Sequence, residues 1–371
     1  MKNITQSLCG VIPSHMLSRI GNSADGDDAR STLEQMRELA NERALTLIHL
    51  AEPRRTEPRA RRNVYDAQGG RDLPGKLILS DHRTTGGDLD ARQAYEGAGT
   101  TMEFFHRVYG RNSLDGGGFP LNATVHYGTR FQNAMWTGDQ IVYGDGDARF
   151  FNSFTVSIDI TAHELTHGIV QFTTGMGYSG EAGAVNESMA DVFGSLVKQF
   201  QLQQTAEQAD WLIGAELLRP CVKGRGVRSL AAPGHAYDDP VLGRDPQPSH
   251  MRDYVETDED HGGVHINSGI PNHAFYLAAM AIGGPSWEVA GRIWYRTLVE
   301  GLPNEPTFFD LALNTVDMAG ELYGYGSRYQ RIVADAWARV GIVVPLDDDR
   351  TIPPFPLGAQ PRARWRERLP R

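Results

Sequence analysis

His163-Glu164-Leu165-Thr166-His167 constrains this 371-residue chain more than any other stretch. On an α-helix, four residues turn the chain through about 400°, so both imidazoles leave one face, one turn apart. At that spacing two neutral imidazoles can reach a single zinc ion, and Glu164 beside them can deprotonate a water held there. The five-letter pattern alone is a weak signal, because solvated helix faces also carry unrelated histidines. A catalytic zinc usually takes three protein ligands and leaves a fourth position open. In the pattern H-E-x-x-H-x-x-G-x-x-H the third ligand is a histidine, but Val170 and Thr173 stand at the Gly and His positions here, which excludes that version. Downstream, Glu187 and Asp191 are again one helical turn apart. Glu187 can complete a His, His, Glu set, and Asp191 and Asn186 can accept the ring N–H groups that fix each imidazole.

Further segments carry a resemblance. Asn133-Ala134-Met135-Trp136, Ile141-Val142-Tyr143-Gly144-Asp145-Gly146-Asp147 and Gly262-Gly263-Val264-His265-Ile266-Asn267-Ser268-Gly269 follow the zinc motif's family in the right order. From about Val64 to about Val343 the chain resembles the thermolysin-like metallopeptidases. The resemblance implies an α+β, two-lobed zincin with a β-rich N-terminal lobe, a central zinc-binding helix and a mainly α-helical C-terminal lobe. It also implies one catalytic Zn2+ on His163, His167 and Glu187, with Glu164 as general base. Tyr178 and His265 match the family's two donors to the oxyanion, and Asp260 matches the carboxylate that orients His265. Asn133 and the Ala134 backbone match groups that hold an extended peptide as an added strand, and Arg228 matches a contact to a peptide carbonyl. Phe151, Phe154, Ile160 and Val227 would line the pocket for the residue after the scissile bond, favouring a bulky apolar side chain.

The activity so implied is that of a zinc-dependent neutral endopeptidase working through a zinc-activated water. The alternative is a catalytically silent peptide-binding or inhibitory protein of the same fold, which would normally lack Glu164 or a ligand. A zinc amidase or aminopeptidase is a third reading, disfavoured by the edge-strand and His265 segments. Calcium is not expected. Asp159 matches one ligand of the family's paired calcium site, but Lys198, Leu212 and Ala215 occupy other positions, Arg225 replaces a carboxylate in a second calcium loop, and an ammonium repels a cation.

The chain divides into four parts. Residues 1–58 look like the short prosegment of the protealysin-like subgroup, an expected intramolecular inhibitor removed by autocleavage near a basic linker. Within it Ser31-Thr32-Leu33-Glu34 reads as a capping box opening a helix, and Cys9-Gly10-Val11 invites comparison with a cysteine switch. Residues 59–185 form the expected β-rich lobe with the zinc helix, 186–344 the helical lobe, and 345–371 a Pro- and Arg-rich tail. With only Cys9 and Cys221 there is no disulfide framework. A formal charge of −10 argues against general nucleic-acid binding, and no apolar run approaches a membrane span. Met1 to Arg19 lacks the apolar core of a Sec-type signal, so a cytoplasmic monomer, or secretion by a non-classical route, is expected.

Overall fold

The computed structural model describes residues 10–24, 26–46 and 60–346. Cys9, the linker through residue 59 and the tail beyond residue 346 lie outside them. Two helices come first, α1 (Ser14–Gly21) and α2 (Asp27–Thr46), packed on each other. Five strands follow, β1 (Arg62–Asp66), β2 (Lys76–Ser80), β3 (Leu121–Val125), β4 (Ala134–Trp136) and β5 (Ile141–Tyr143), interrupted by α3 (Leu89–Tyr109). They form one sheet in the order β2-β1-β3-β5-β4, parallel at β1/β3 and β3/β5 and antiparallel elsewhere. β4 is therefore an edge strand. Its open side is met by an antiparallel bridge between Gly10 and Met135.

α3 starts where Asp88 accepts the Ala91 N–H at 2.9 Å and stops at Gly110, a left-handed C-cap. Its N-terminus is tied to the sheet by His126, whose ring nitrogens each lie 2.8 Å from a carboxylate, Asp88 and Asp145. The hydrogen bond to Asp145 pushes the His126 pKa up to about 9, so this imidazole is a cation at neutral pH.

α4 (Ile158–Thr173) carries the zinc motif and crosses the middle of the molecule between α3, β4 and α5 (Gly180–Leu202). Every residue from Asp159 to Val170 is buried. A helix without a wet face is a core helix, so its polar side chains must be satisfied by protein or by a ligand. The expected lobe boundary at 185/186 falls inside α5, which continues without a break through the Gly180-Glu181-Ala182-Gly183 stretch.

The second half is largely helical. Short paired strands β6 (Leu212–Ile213) with β7 (Arg228–Ser229), and β8 (Asp238–Asp239) with β9 (Gly243–Arg244), precede α6 (Asp260–Asn267), α7 (Gly269–Ile282), α8 (Ala290–Glu300), α9 (Phe308–Tyr323) and α10 (Arg328–Arg339). A reciprocal capping box of Thr307 and Asp310 opens α9. The box expected at Ser31 is not used, because α2 begins a turn earlier at Asp27. Two aspartates in its first turn complement the helix dipole, and the Arg30 N–H already bonds the Gly26 carbonyl at 3.0 Å. Ser31 instead accepts from Gln35 within the helix, and Thr32 Oγ1 accepts the Gln132 N–H at 3.0 Å.

Candidate metal centre and peptide cleft

The spacing of His163 and His167 delivers what it requires. Their Nε2 atoms lie 3.1 Å apart, and Glu187 on α5 brings Oε2 to 3.5 Å from His163 Nε2 and Oε1 to 3.4 Å from His167 Nε2. Each outer ring nitrogen faces an acceptor: His163 Nδ1 lies 2.9 Å from Asp191 Oδ1, and His167 Nδ1 lies 2.9 Å from Asn186 Oδ1. These oxygens can only accept, so in the neutral rings the protons sit on Nδ1 and two bare lone pairs converge at Nε2. Burial lowers both histidine pKa values to about 4, which keeps the rings neutral at pH 7. Glu187 Oε2 is buried with no hydrogen-bond partner. Lone pairs held this close repel unless a cation lies among them. Tetrahedral zinc bonded at about 2.0–2.1 Å needs donors roughly 3.3 Å apart, and the three observed separations bracket that value. The donor set fits zinc.

The residues expected around this centre gather there. Glu164 is fully buried; its Oε2 accepts the Trp136 N–H at 2.6 Å, and its Oε1 has no partner. Burial, and then the charge of Glu187, push the Glu164 pKa well above the usual carboxylate range. The Tyr178 hydroxyl donates to Glu187 Oε1, and His265 Nε2 lies 3.4 Å from Glu187 Oε2. Asp260 holds His265 twice, accepting its backbone N–H and facing Nδ1, both at 2.8 Å. Burial opposes the ionisation of Asp260, but the His265 imidazole outweighs it and keeps the Asp260 pKa low. That grip needs a sharp turn: Asp260, His261, Gly262 and Gly263 all have positive φ, from 53° to 87°. Glycine adopts this conformation freely, whereas Asp and His do so under strain, which is tolerated where a site requires the geometry.

The groups expected to hold a peptide meet the chain's own N-terminal segment. The Val11 N–H donates to the Ala134 carbonyl at 3.0 Å. The Ile12 N–H donates to Asn133 Oδ1 at 2.9 Å, and Asn133 Nδ2 donates to the Ile12 carbonyl at 3.0 Å. Arg228 donates from Nη1 to the Val11 carbonyl at 2.7 Å. Residues 10–12 therefore lie along the edge of β4, with every backbone polar group of Val11 and Ile12 satisfied. Phe151, Phe154, Ile160 and Val227 are each at most 1 % exposed, with the two phenyl rings 5.9 Å apart.

Three features were not legible beforehand: the Trp136 N–H on Glu164, the register of residues 10–12 on β4, and Asn272, whose Nδ2 donates to Asp191 at 2.9 Å. None carries a spacing pattern. One further group of possible metal ligands exists among the described residues, Asp90, His126 and Asp145. There the imidazolium of His126 already supplies the positive charge.

The chain matches the model of the thermolysin metallopeptidase catalytic domain over residues 28–171 and that of the thermolysin metallopeptidase alpha-helical domain over 174–342. The chain belongs to the thermolysin metallopeptidase family. This thermolysin-like chain is 48 % identical over 345 residues to an extracellular metalloprotease of Pectobacterium carotovorum subsp. carotovorum, covering 92 % of this chain and 98 % of that one. It is 36 % identical over 288 residues to thermolysin of Alicyclobacillus acidocaldarius subsp. acidocaldarius, covering 75 % of this chain and 50 % of that protein. Among solved structures it resembles the precursor of protealysin, a metalloproteinase from Serratia proteamaculans, with TM-score 0.80 and 46 % identity over 90 % of this chain and all of that one. Within the family it is protealysin-like, a zinc metalloendopeptidase with peptide substrates.

Proposed function

We propose that the chain is made as a self-inhibited precursor of an endopeptidase that cuts before bulky apolar residues, with zinc on His163, His167 and Glu187. The observation that carries this reading is the pair of buried imidazoles whose Nε2 atoms lie 3.1 Å apart, with each Nδ1 2.9 Å from a side-chain oxygen. Bound there, zinc supplies Lewis acidity toward the scissile carbonyl and lowers the pKa of water toward neutrality. Glu164 takes the proton of the attacking water and passes it to the departing amine. Tyr178 and His265 donate toward the oxyanion that develops on the carbonyl, with Asp260 holding the His265 ring. Asn133, the Ala134 carbonyl and Arg228 hold the peptide backbone after the scissile bond, and Phe151, Phe154, Ile160 and Val227 form the apolar surround of its first side chain. Residues 10–12 use the same backbone groups, which supports their role as an intramolecular block. A peptide library cut by the processed enzyme is expected to show Leu, Ile, Val or Phe directly after the cleaved bond. Preference for Lys or Glu there would overturn the pocket assignment.

Calcium independence belongs to the same reading. The Lys198 ammonium lies 3.1 Å from Asp159, 3.0 Å from Asp210 and 2.9 Å from the Leu212 carbonyl, occupying an oxygen-lined position that would otherwise suit a cation. Burial disfavours this ammonium, but Asp159 and Asp210 outweigh it and raise its pKa, so it stays charged. The thermal midpoint is expected to be unaffected by a calcium-specific chelator. Lys198→Ala, which leaves the buried Asp159 carboxylate without its counter-ion though still bonded by the Ser157 hydroxyl and the Gly214 N–H, is expected to lower stability by about 3 kcal/mol in urea unfolding. A chelator-induced fall in the parent's midpoint with zinc retained would refute this.

A further inference from the structure

We infer that Asn272 is a positioning residue for the metal centre, acting on His163 through Asp191; the inference rests on the zinc assignment above. Asp191 is fully buried and faces four donors. Its Oδ1 lies 2.8 Å from Arg228 Nη2 and 2.9 Å from His163 Nδ1, and its Oδ2 lies 2.8 Å from Arg228 Nε and 2.9 Å from Asn272 Nδ2. Both carboxylate oxygens are thus doubly engaged, which leaves Asp191 no rotation that preserves its contacts.

Arg228 has a second duty, because its Nη1 binds the Val11 carbonyl where a peptide backbone passes. Asn272 has no such tie. It stands in the first turn of α7, its N–H bonded to the Ser268 carbonyl at 3.0 Å, and its side chain is wholly buried. Its Oδ1 has no hydrogen-bond partner. An unsatisfied buried acceptor is costly, and a leucine, with the same branching and no polar atom, would escape that cost. What the amide contributes at this position is its N–H on Asp191. Asn272 therefore holds the carboxylate independently of what Arg228 meets in the cleft, and keeps His163 in the Nδ1–H tautomer with Nε2 free to ligate.

The test is chelator competition for zinc and the visible spectrum of the cobalt-substituted full-length chain, comparing Asn272→Leu and Asn272→Ser with the parent. Serine is too short to reach Asp191, and it provides the comparison should the leucine variant fold poorly. Zinc affinity is expected to fall about 10-fold, the low end of what outer partners of metal ligands contribute. The cobalt spectrum is expected to shift, while the thermal midpoint of the metal-free protein is unchanged or, for leucine, raised. Parental zinc affinity and cobalt spectrum in either folded variant would overturn the role of Asn272. His163→Ala separates this from the zinc assignment itself: if that variant also binds zinc as the parent does, the ligand set is wrong.

Discussion

Gly10→Val in the full-length chain is expected to raise initial peptidase activity about 5- to 150-fold before any processing occurs. The ideal Cβ of any side chain at position 10 would lie 2.5 Å from Asn133 Cγ and Oδ1 and 2.6 Å from the Ala134 carbonyl oxygen. Separations below 3 Å force something to move, and the atoms in the way are the ones that clamp Val11 and Ile12. Overpacking of this kind costs about 1–3 kcal/mol, and every 1.4 kcal/mol is a factor of ten in the closed-to-open ratio. The gain follows if the cleft is closed by residues 10–12. It is read from the initial rate on an internally quenched peptide, with mass spectrometry confirming an intact N-terminus. Equal rates for the variant and the parent would show that this segment does not control access.

The reach of the sequence is uneven, and the reasons are physical. The zinc helix was legible because its two histidines stand four residues apart with Glu164 beside the first, and α4, from Ile158 to Thr173, puts both imidazoles on one face. β4 has three residues, too few for any periodicity, and only the resemblance marked it. The opening of α2 was misread because Ser31 and Thr32 have the chemistry of a cap, yet tertiary contact reassigns Thr32 to the Gln132 N–H. Lys198 was legible as a positive charge at an expected calcium position, but its partner Asp210, twelve residues on and in a loop, was not. Asn272 sits in an apolar helical run where an amide has no pattern to betray it. Residues spaced one turn apart on α4 or α5 were legible whether they ligate or orient, whereas Asn272 reaches Asp191 from α7, a separate element.

Glu164→Gln, made together with Gly10→Val so that the cleft is accessible, is expected to lower kcat about 10²- to 10⁴-fold with zinc content unchanged. Glutamine keeps the volume of the buried side chain and an oxygen to accept the Trp136 N–H, so folding is preserved; alanine would leave that N–H orphaned at about 1–3 kcal/mol. What glutamine lacks is basicity. The Glu164 carboxylate has one oxygen engaged and one without a partner, which is the arrangement needed to receive a proton and give it up again. Burial, and then Glu187, raise its pKa, which favours its holding the proton taken from water. Metal analysis beside turnover separates the two ways the site can fail. Loss of zinc in the variant would mean that Glu164 supports the ligand set, and undiminished turnover with zinc retained would place the base elsewhere. The same pair of measurements decides against the catalytically silent alternative, which requires the Gly10→Val chain to bind peptide without cutting it.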